Sequence, residues 1–354
     1  MNTPLPDDAF ALHLAGGTSD QLRRLRRTLG GHRRWLSRGR IAWCRVGLPE
    51  PLSRRVEEFA RAERLSLERE RVARAGAQLV GLLGPDLPAQ LGALHRPPVA
   101  LVVRGRWPPP EGALGIVGAR AVTPAGRAAA SRFGEAAGRH GRAVVSGLAR
   151  GVDSAALEGC LRAGGWPVAV LGNGLDVAYP PENASLQEDI ARQGTLVSEF
   201  PMRTRPDRWT FPRRNRILAA LCEALLVVEA SARSGALITA QHALELGVEV
   251  WTVPGPIDSA ACAGSNELLF DGAAPVLSEA VLLRLLGADA SPAARNRPPA
   301  DPVEAALATG PRSADELAAE LALPLPRLRA RLIAMELEGN VKRESAGRWS
   351  WRHA

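Results

Sequence analysis

Long apolar runs are missing. No stretch of the 354 residues approaches the ~18–20 consecutive apolar residues that span a bilayer. The opening MNTPLPDDAF is acidic and contains proline. It has neither the positive start nor the apolar core of a signal peptide, so a cytoplasmic protein without membrane insertion is expected. Cysteine is scarce: Cys44, Cys160, Cys222 and Cys262 lie far apart, with no CxxC and no metal-ligand spacing. Three sit in apolar or Ala-rich contexts, so buried free thiols are the expectation. Histidines occur at 13, 32, 95, 140, 242 and 353 without an HExxH pairing, so no metal site is expected. Nucleotide-handling and hydrolytic signatures are missing too. The chain has no GxxxxGK[ST], which excludes a P-loop ATPase, no GxSxG, and no GxGxxG for a dinucleotide. Nor do carboxylates cluster with a histidine as two-metal or hydrolytic chemistry would need. Binding is favoured over catalysis, and neither enzymatic activity nor a cofactor is expected.

Lysine is almost absent as well. Lys342 is the one lysine among 45 basic residues, which leaves 44 arginines. GC-rich coding also produces such a bias, so distribution carries more information than count. Residues 1–86 hold 16 arginines against 10 Asp plus Glu, a net +6 of the overall +8. Between 23 and 45 there are nine arginines and no acid. A basic balance points to a polyanionic partner, usually nucleic acid. A solvated arginine face is the alternative for the N-terminal part.

The apolar pattern divides the chain. Residues 1–85 read as a small helical domain. SDQLRRLRRTLGG starts at Ser19 or Asp20 as N-cap and stops at Gly30-Gly31. SRRVEEFARAERLSLERERVARAG reads as a second helical stretch with Val56, Phe59, Ala60 and Leu65 on a buried face. In 86–286 the pattern changes to short continuous apolar runs alternating with helical segments: VALVVRG, GALGIVGAR, RAVVSG, WPVAVLGNG, TLVSEF, ALLVVEA and GVEVWTVPG. Such runs predict an α/β fold, a Rossmann-like parallel sheet covered on both faces. Residues 287–302 are rich in Ala, Pro and Asp without periodicity and read as a linker. Residues 303–354 give helix, helix, longer helix and a hairpin around Ser345-Ala346-Gly347, the pattern of a winged helix. Arg327 and Arg331 lie on one face of its longer helix, opposite Leu328, Leu332 and Met335. This segment carries eight basic and seven acidic residues, so contact with protein is favoured over duplex reading.

Open α/β sheets bind ligands at the carboxyl ends of their strands, and three such ends here carry glycine with polar groups. In GIVGARAVTPAG, Thr123 caps a helix with Pro124 at its first position, and Arg120 stands beside that helix start, a phosphate site. In VVSGLARGVDSAAL, Gly147 and Gly151 allow tight turns and close backbone approach, Arg150 adds charge, and Asp153 falls in the first helical turn. A plain βα loop is the alternative. The third is FPRRNRILAALCEALLVVEASARSGALITAQHALELG. Its helix is expected over 213–220, with Phe211 just upstream to stack a base and Arg213, Arg214 and Arg216 spread over more than one face. Alternatively, Phe211 staples the helix start to the core. Ser231, Ser234, Gly235 and Thr239 open the next helix.

These segments, with GNGLDVAYPPENASL, SEFP and VPGPIDSAACAGSNELLFDGA, closely resemble the DNA-processing protein A family (DprA, also Smf) in order and spacing over about 114–273. The resemblance implies a Rossmann-like core between a SAM-like helical N-terminal domain and a C-terminal winged helix. It implies a non-enzymatic single-stranded DNA binder of natural transformation. Such proteins protect incoming DNA and load the RecA recombinase on it. They dimerise through the Rossmann-like domain and also meet single-strand binding protein. The family's DNA pocket maps onto Arg120, onto Ser146, Gly147 and Arg150, and onto Phe211, Arg213, Asn215 and Arg216, with Gly235 and Thr239 supporting its floor. One departure stands out. Relatives often carry a lysine after the Tyr-Pro pair, where this chain has Pro181. The phosphate contact is lost there or taken over by Arg203 or Arg205. The other reading, open on the residues alone, is a Rossmann-like enzyme or sensor for a small nucleotide, with Glu199 or Glu229 as its acid.

Overall fold

A computed structural model describes residues 5–81, 89–287, 302–308, 310–321, 323–337, 341–343 and 348–351. They fall into two compact units, Met1–Leu282 and Leu283–Ala354.

The first unit begins with six helices: α1 (Asp7–Leu14), α2 (Ser19–Leu29), α3 (Gly31–Ser37), α4 (Gly39–Arg45), α5 (Glu50–Phe59) and α6 (Ala62–Arg74). α2 is capped one residue earlier than expected. Thr18 accepts from the Gln21 amide while the Gln21 side chain accepts from the Thr18 amide, a reciprocal pair that neither Ser19 nor Asp20 provides. Gly30 ends the helix in the left-handed region, φ 99°. The second expected helical stretch is two helices, separated where Arg61 turns extended. Phe10, Leu12, Leu22, Leu25, Trp35 and Val56 fill the core of this part. Asp8 is fully buried there, with its charge met by Arg26 at 2.8 and 2.9 Å and by the Trp35 indole at 2.8 Å.

The sheet has nine strands: β1 (Ala77–Gly81), β2 (Ala100–Gly105), β3 (Leu114–Gly118), β4 (Ala143–Ser146), β5 (Trp166–Leu171), β6 (Thr195–Ser198), β7 (Ala224–Val228), β8 (Glu249–Thr252) and β9 (Ala274–Pro275). Their spatial order is β1-β2-β6-β5-β4-β3-β7-β8-β9. Strands β3 to β9 are parallel, β3 to β8 as the apolar runs predict. Two features correct the expectation. β2 lies antiparallel to β6, and β1 antiparallel to β2, so Ala77–Gly81 belongs to the sheet rather than to a wholly helical 1–85. A buried strand reads the same in either direction, and β1 is a half-buried edge strand with little apolar signal.

Helices between the strands are α7 (Ala89–Ala93), α8 (Pro124–Arg139), α9 (Val152–Arg162), α10 (Ala184–Gln193), α11 (Thr210–Ala220), α12 (Gly235–Glu245) and α13 (Ala263–Phe270), and α14 (Glu279–Leu285) follows β9. From β3 the chain steps outward through β4, β5 and β6, then returns to the other side of β3 with β7. The carboxyl ends of β3 and β7 therefore flank a topological switch point, where loops diverge and leave a crevice.

In the second unit, helices Pro302–Ala308, Ala314–Leu321 and Leu325–Leu337 pack with a three-stranded sheet of Arg312–Ser313, Arg348–Trp351 and Val341–Arg343. Leu328, Leu332 and Met335 are fully buried, as their spacing predicts, while Arg327 and Arg331 are exposed. Residues 288–301 of the expected linker and the 344–347 hairpin turn lie outside the described residues.

Candidate nucleic-acid interface

A cleft of about 690 Å³ opens at the switch point between β3 and β7. The loops after the two strands are tied together. The Ala119 amide donates to the Glu229 carbonyl at 2.7 Å. The Glu229 carboxylate accepts from the Thr123 amide at 2.9 Å and its hydroxyl at 2.5 Å. Thr123 also caps α8 through the Gly126 amide, as expected. Arg120 emerges from this brace, exposed at the cleft. Among the described residues no carboxylate comes within ion-pair distance of it. Its guanidinium lies 5.1 Å from the centre of the Phe211 ring.

Phe211 is half-buried and lines the cleft. Its ring sits over Gly172, where a Cβ would come within 2.7 Å of it. Tyr179 stands beside it, ring centres 5.5 Å apart and tilted by 34°. An arginine and two aromatic rings thus converge on one wall.

The floor is built on Arg214, which is 5% exposed. Its Nη1 donates to the Gly147 carbonyl at 2.8 Å and to the Val170 carbonyl, and its Nε donates to Asn215 at 3.1 Å. Burial lowers its pKa to about 10, with Asp153 opposing that shift, so it stays cationic at neutral pH. Asp153 accepts from the Gly147 and Ala149 amides at 3.1 and 3.4 Å. Burial is the largest influence on its carboxyl and pushes the pKa up, opposed by Arg214 and the two amides. A Cβ at Gly147 would lie 2.5 Å from the Arg214 guanidinium and 2.6 Å from the Asp153 carboxylate, so a larger residue there would displace this buried pair. Asn215 donates weakly to the Gly235 carbonyl at 3.4 Å. With Thr239 and Ser234, which caps α12, they complete the far wall. The start of α12 lies on this wall, and the positive end of the helix dipole there is favourable to an anion.

The structure sorts the expected site residues. Arg120, Phe211, Asn215, Gly235 and Thr239 line the cleft, and Gly147 supports its floor. Ser146 lies beneath, fully buried, donating to the Ile116 carbonyl at 2.6 Å. Arg150 turns outward to an exposed ion pair with Glu182. Arg213 and Arg216 face away from the cleft and share Glu199 at 2.6 Å each. α11 begins at Thr210 rather than near Arg213, so Phe211 lies within the helix. Positions 211, 214, 215 and 218 then share one face and 213 and 216 another. Arg214, named among the helix arginines but not in the mapped pocket, forms its floor, and its place three residues after Phe211 carries that signal. Tyr179 and Arg208 were missed, since loop residues carry no periodicity.

Glu199 and Glu229, the acids expected for a small-nucleotide site, are both engaged in the framework, and neither lines the cleft. Among the described residues no group of three or more His, Cys, Asp or Glu clusters to hold a metal, and no helix is long and apolar enough to cross a membrane. Cys160, Cys222 and Cys262 are buried, and burial holds the Cys160 thiol up at about 12. Cys44 is half-buried.

A second depression, about 440 Å³, lies between the helical part and the β6–α11 segment, and His13 lines it. Its ring is 3% exposed, Nε2 finds no protein partner, and burial lowers the pKa to about 4. The unfolded chain takes up this proton near the ordinary 6.5, so between pH 6.5 and 4 it binds more protons than the native state. Folding stability should therefore fall as pH drops through that window, by ~3 kcal/mol from this residue. Urea unfolding at both ends should show the loss, and His13→Gln should shrink it.

The sequence model of one family, DNA recombination-mediator protein A, matches residues 78–287, and that of the DprA winged helix domain matches residues 287–347. The chain belongs to the DNA recombination-mediator protein A family. Protein Smf of Synechocystis is 43% identical over 209 residues, 58% of this chain and 52% of that protein. The match spans about half the length of the first curated relatives. The X-ray structure of DNA processing protein A from Streptococcus pneumoniae superposes with a TM-score of 0.68 at 29% identity, covering 80% of this chain and 98% of that one. A Helicobacter pylori DNA processing protein A, described for its single-stranded DNA binding mode, gives a TM-score of 0.54 at 27% identity, covering 61% and 98%. Membership in the recombination-mediator family agrees with the core and the winged helix described above.

Proposed function

We propose that this protein binds single-stranded DNA entering the cell in natural transformation, protects it and loads the RecA recombinase on it, as a non-enzymatic dimer in the cytoplasm. The observation that carries the reading is the wall of Arg120, Phe211 and Tyr179 above the buried Arg214 at the switch point. Aromatic rings stack any base, and arginine meets any phosphate. No base edge need be read, which suits incoming DNA of arbitrary sequence. The Helicobacter relative's described strand binding supports the same reading. RecA is the proposed partner for handover, with single-strand binding protein as a further one.

Titration of labelled oligo-dT and matched duplex at two salt concentrations tests the proposal. Tight, salt-sensitive binding to the single strand with weaker duplex binding supports it, and stimulation of RecA filament formation on the same strand tests the handover. Equal or stronger duplex binding overturns it. One observation favours a second reading, a small-nucleotide sensor: the buried Asp153 carboxyl lines the same cleft. Calorimetry with mononucleotides separates the two, because a sensor binds them tightly and a stacking platform does not.

Dimerisation has physical support at the β8–β9 edge. Phe270 and Leu277 are 91% and 71% exposed near a depression of about 480 Å³, and Leu244 lines it. Single exposed apolar residues are ordinary, but several on one edge of a sheet beside a depression suit a contact surface. Two cleft sites on one dimer give a long strand a higher effective concentration at the second site. Oligo-dT long enough to bridge the protomers should bind more tightly than a short one, and Phe270→Glu should remove the difference. Equal affinity across lengths in the unaltered protein would argue against the linked sites.

A further inference from the structure

We propose that Trp209, with Arg208, forms a second base-stacking station outside the cleft. It receives the nucleotide next to the one held at Phe211, and the inference rests on the strand-binding reading above. Trp209 is 69% exposed and occupies the N-cap position of α11, where its side chain makes no capping bond. The turn that carries it is well tied. The Asp207 carboxylate accepts from the Trp209 amide at 2.9 Å, and the Thr210 hydroxyl donates to the Asp207 carbonyl at 2.8 Å. A rigid turn therefore displays an indole with a large face open to solvent.

Arg208 connects this ring to the cleft. It lines the cleft wall, and its guanidinium lies 4.8 Å from the centre of the Trp209 ring. The arrangement repeats that of Arg120 over Phe211 at 5.1 Å. Two arginine–aromatic pairs thus flank one opening. Residues two apart at a helix start do not face each other, so the two rings address different bases rather than the two faces of one. Phosphates have cations to follow. Arg203, Arg205 and Arg208 are exposed in the same segment, and among the described residues no carboxylate lies within ion-pair distance of them. Arg203 and Arg205 are the residues expected to compensate for Pro181. The pairing of ring and charge along one loop fits a nucleic-acid strand better than an apolar partner.

Trp209→Ala, Trp209→Phe and Phe211→Ala, each compared with the unaltered chain, separate this station from the cleft. Affinity for long oligo-dT is read at several salt concentrations, and thermal unfolding checks the fold. Trp209→Ala is expected to weaken binding roughly ten-fold, the size of one lost base stack. The salt slope should stay unchanged, since no charge is removed, and Trp209→Phe should keep most of the affinity. If Trp209→Ala binds like the unaltered chain while Phe211→Ala is weakened, the second station is wrong and the cleft stands. If the unaltered chain does not bind oligo-dT, the strand-binding reading itself fails. A changed salt slope in Trp209→Ala would also overturn the stacking role.

Discussion

Phe211→Ala is expected to lower affinity for oligo-dT by about 10–100-fold, the range of one base–aromatic stack, with little change in stability. The ring is only half-buried and rests on Gly172, so truncation leaves a surface notch rather than a core cavity. Arg120→Ala should act differently. Arg120 has no carboxylate partner among the described residues, so its loss removes a phosphate contact without stranding a charge. The slope of log affinity against log salt should shrink by about 0.7, the release from one phosphate of a single strand. Combining the two should nearly abolish binding at physiological salt. Anisotropy across a salt series measures both effects, and unchanged affinity in the double variant would remove the cleft from the account.

Arg214→Ala should be destabilising by ~3–5 kcal/mol, the usual result of breaking a buried charge arrangement from one side. The Gly147 and Val170 carbonyls lose their donor, and the carboxyl of Asp153 loses its nearest compensating charge. Urea unfolding gives the magnitude. Adding Asp153→Asn should recover part of the loss, because the acid is then no longer an unmatched charge. A double variant no more stable than Arg214→Ala would show that the two side chains are not coupled. The role is separate from that of Phe211: Arg214 holds the β4 turn, β5 and α11 in register, and the cleft depends on that register.

Much of this arrangement is legible in the sequence because it rests on local rules. Continuous apolar runs mark the six parallel strands β3 to β8 and the antiparallel β2, while the two-residue β9 carries none. Gly30 ends α2 by its left-handed backbone, and Thr123 with Pro124 starts α8. The three glycine-bearing loops are found because glycine there permits approach no Cβ would allow, as at Gly147. What the sequence leaves open depends on phase and distance. Starting α11 at Thr210 instead of Arg213 takes Phe211 into the helix on the face of Arg214 and Asn215, while Arg213 and Arg216 on the opposite face go to Glu199. The partner that draws them away is a single acid from another strand end, which no local pattern announces. Arg150 behaves in the same way toward Glu182. Strand direction at the β1–β2 edge and the burial of Ser146 beneath the cleft are likewise tertiary facts. The resemblance points to loops that border the cleft, and the structure shows which of their side chains line it.

The central claim is that the strand lies at the β3–β7 switch point and stacks on Phe211. Photocrosslinking of an oligonucleotide carrying 5-iodouracil, followed by peptide mapping, tests it most directly, since such a base couples preferentially to an aromatic side chain stacked on it. The expected adduct lies in the peptide containing Phe211, with Tyr179 as the neighbouring site, and excess unlabelled oligo-dT competes it away. Adducts confined to residues 303–354, or to the arginine-rich helices α2 to α4, would contradict it.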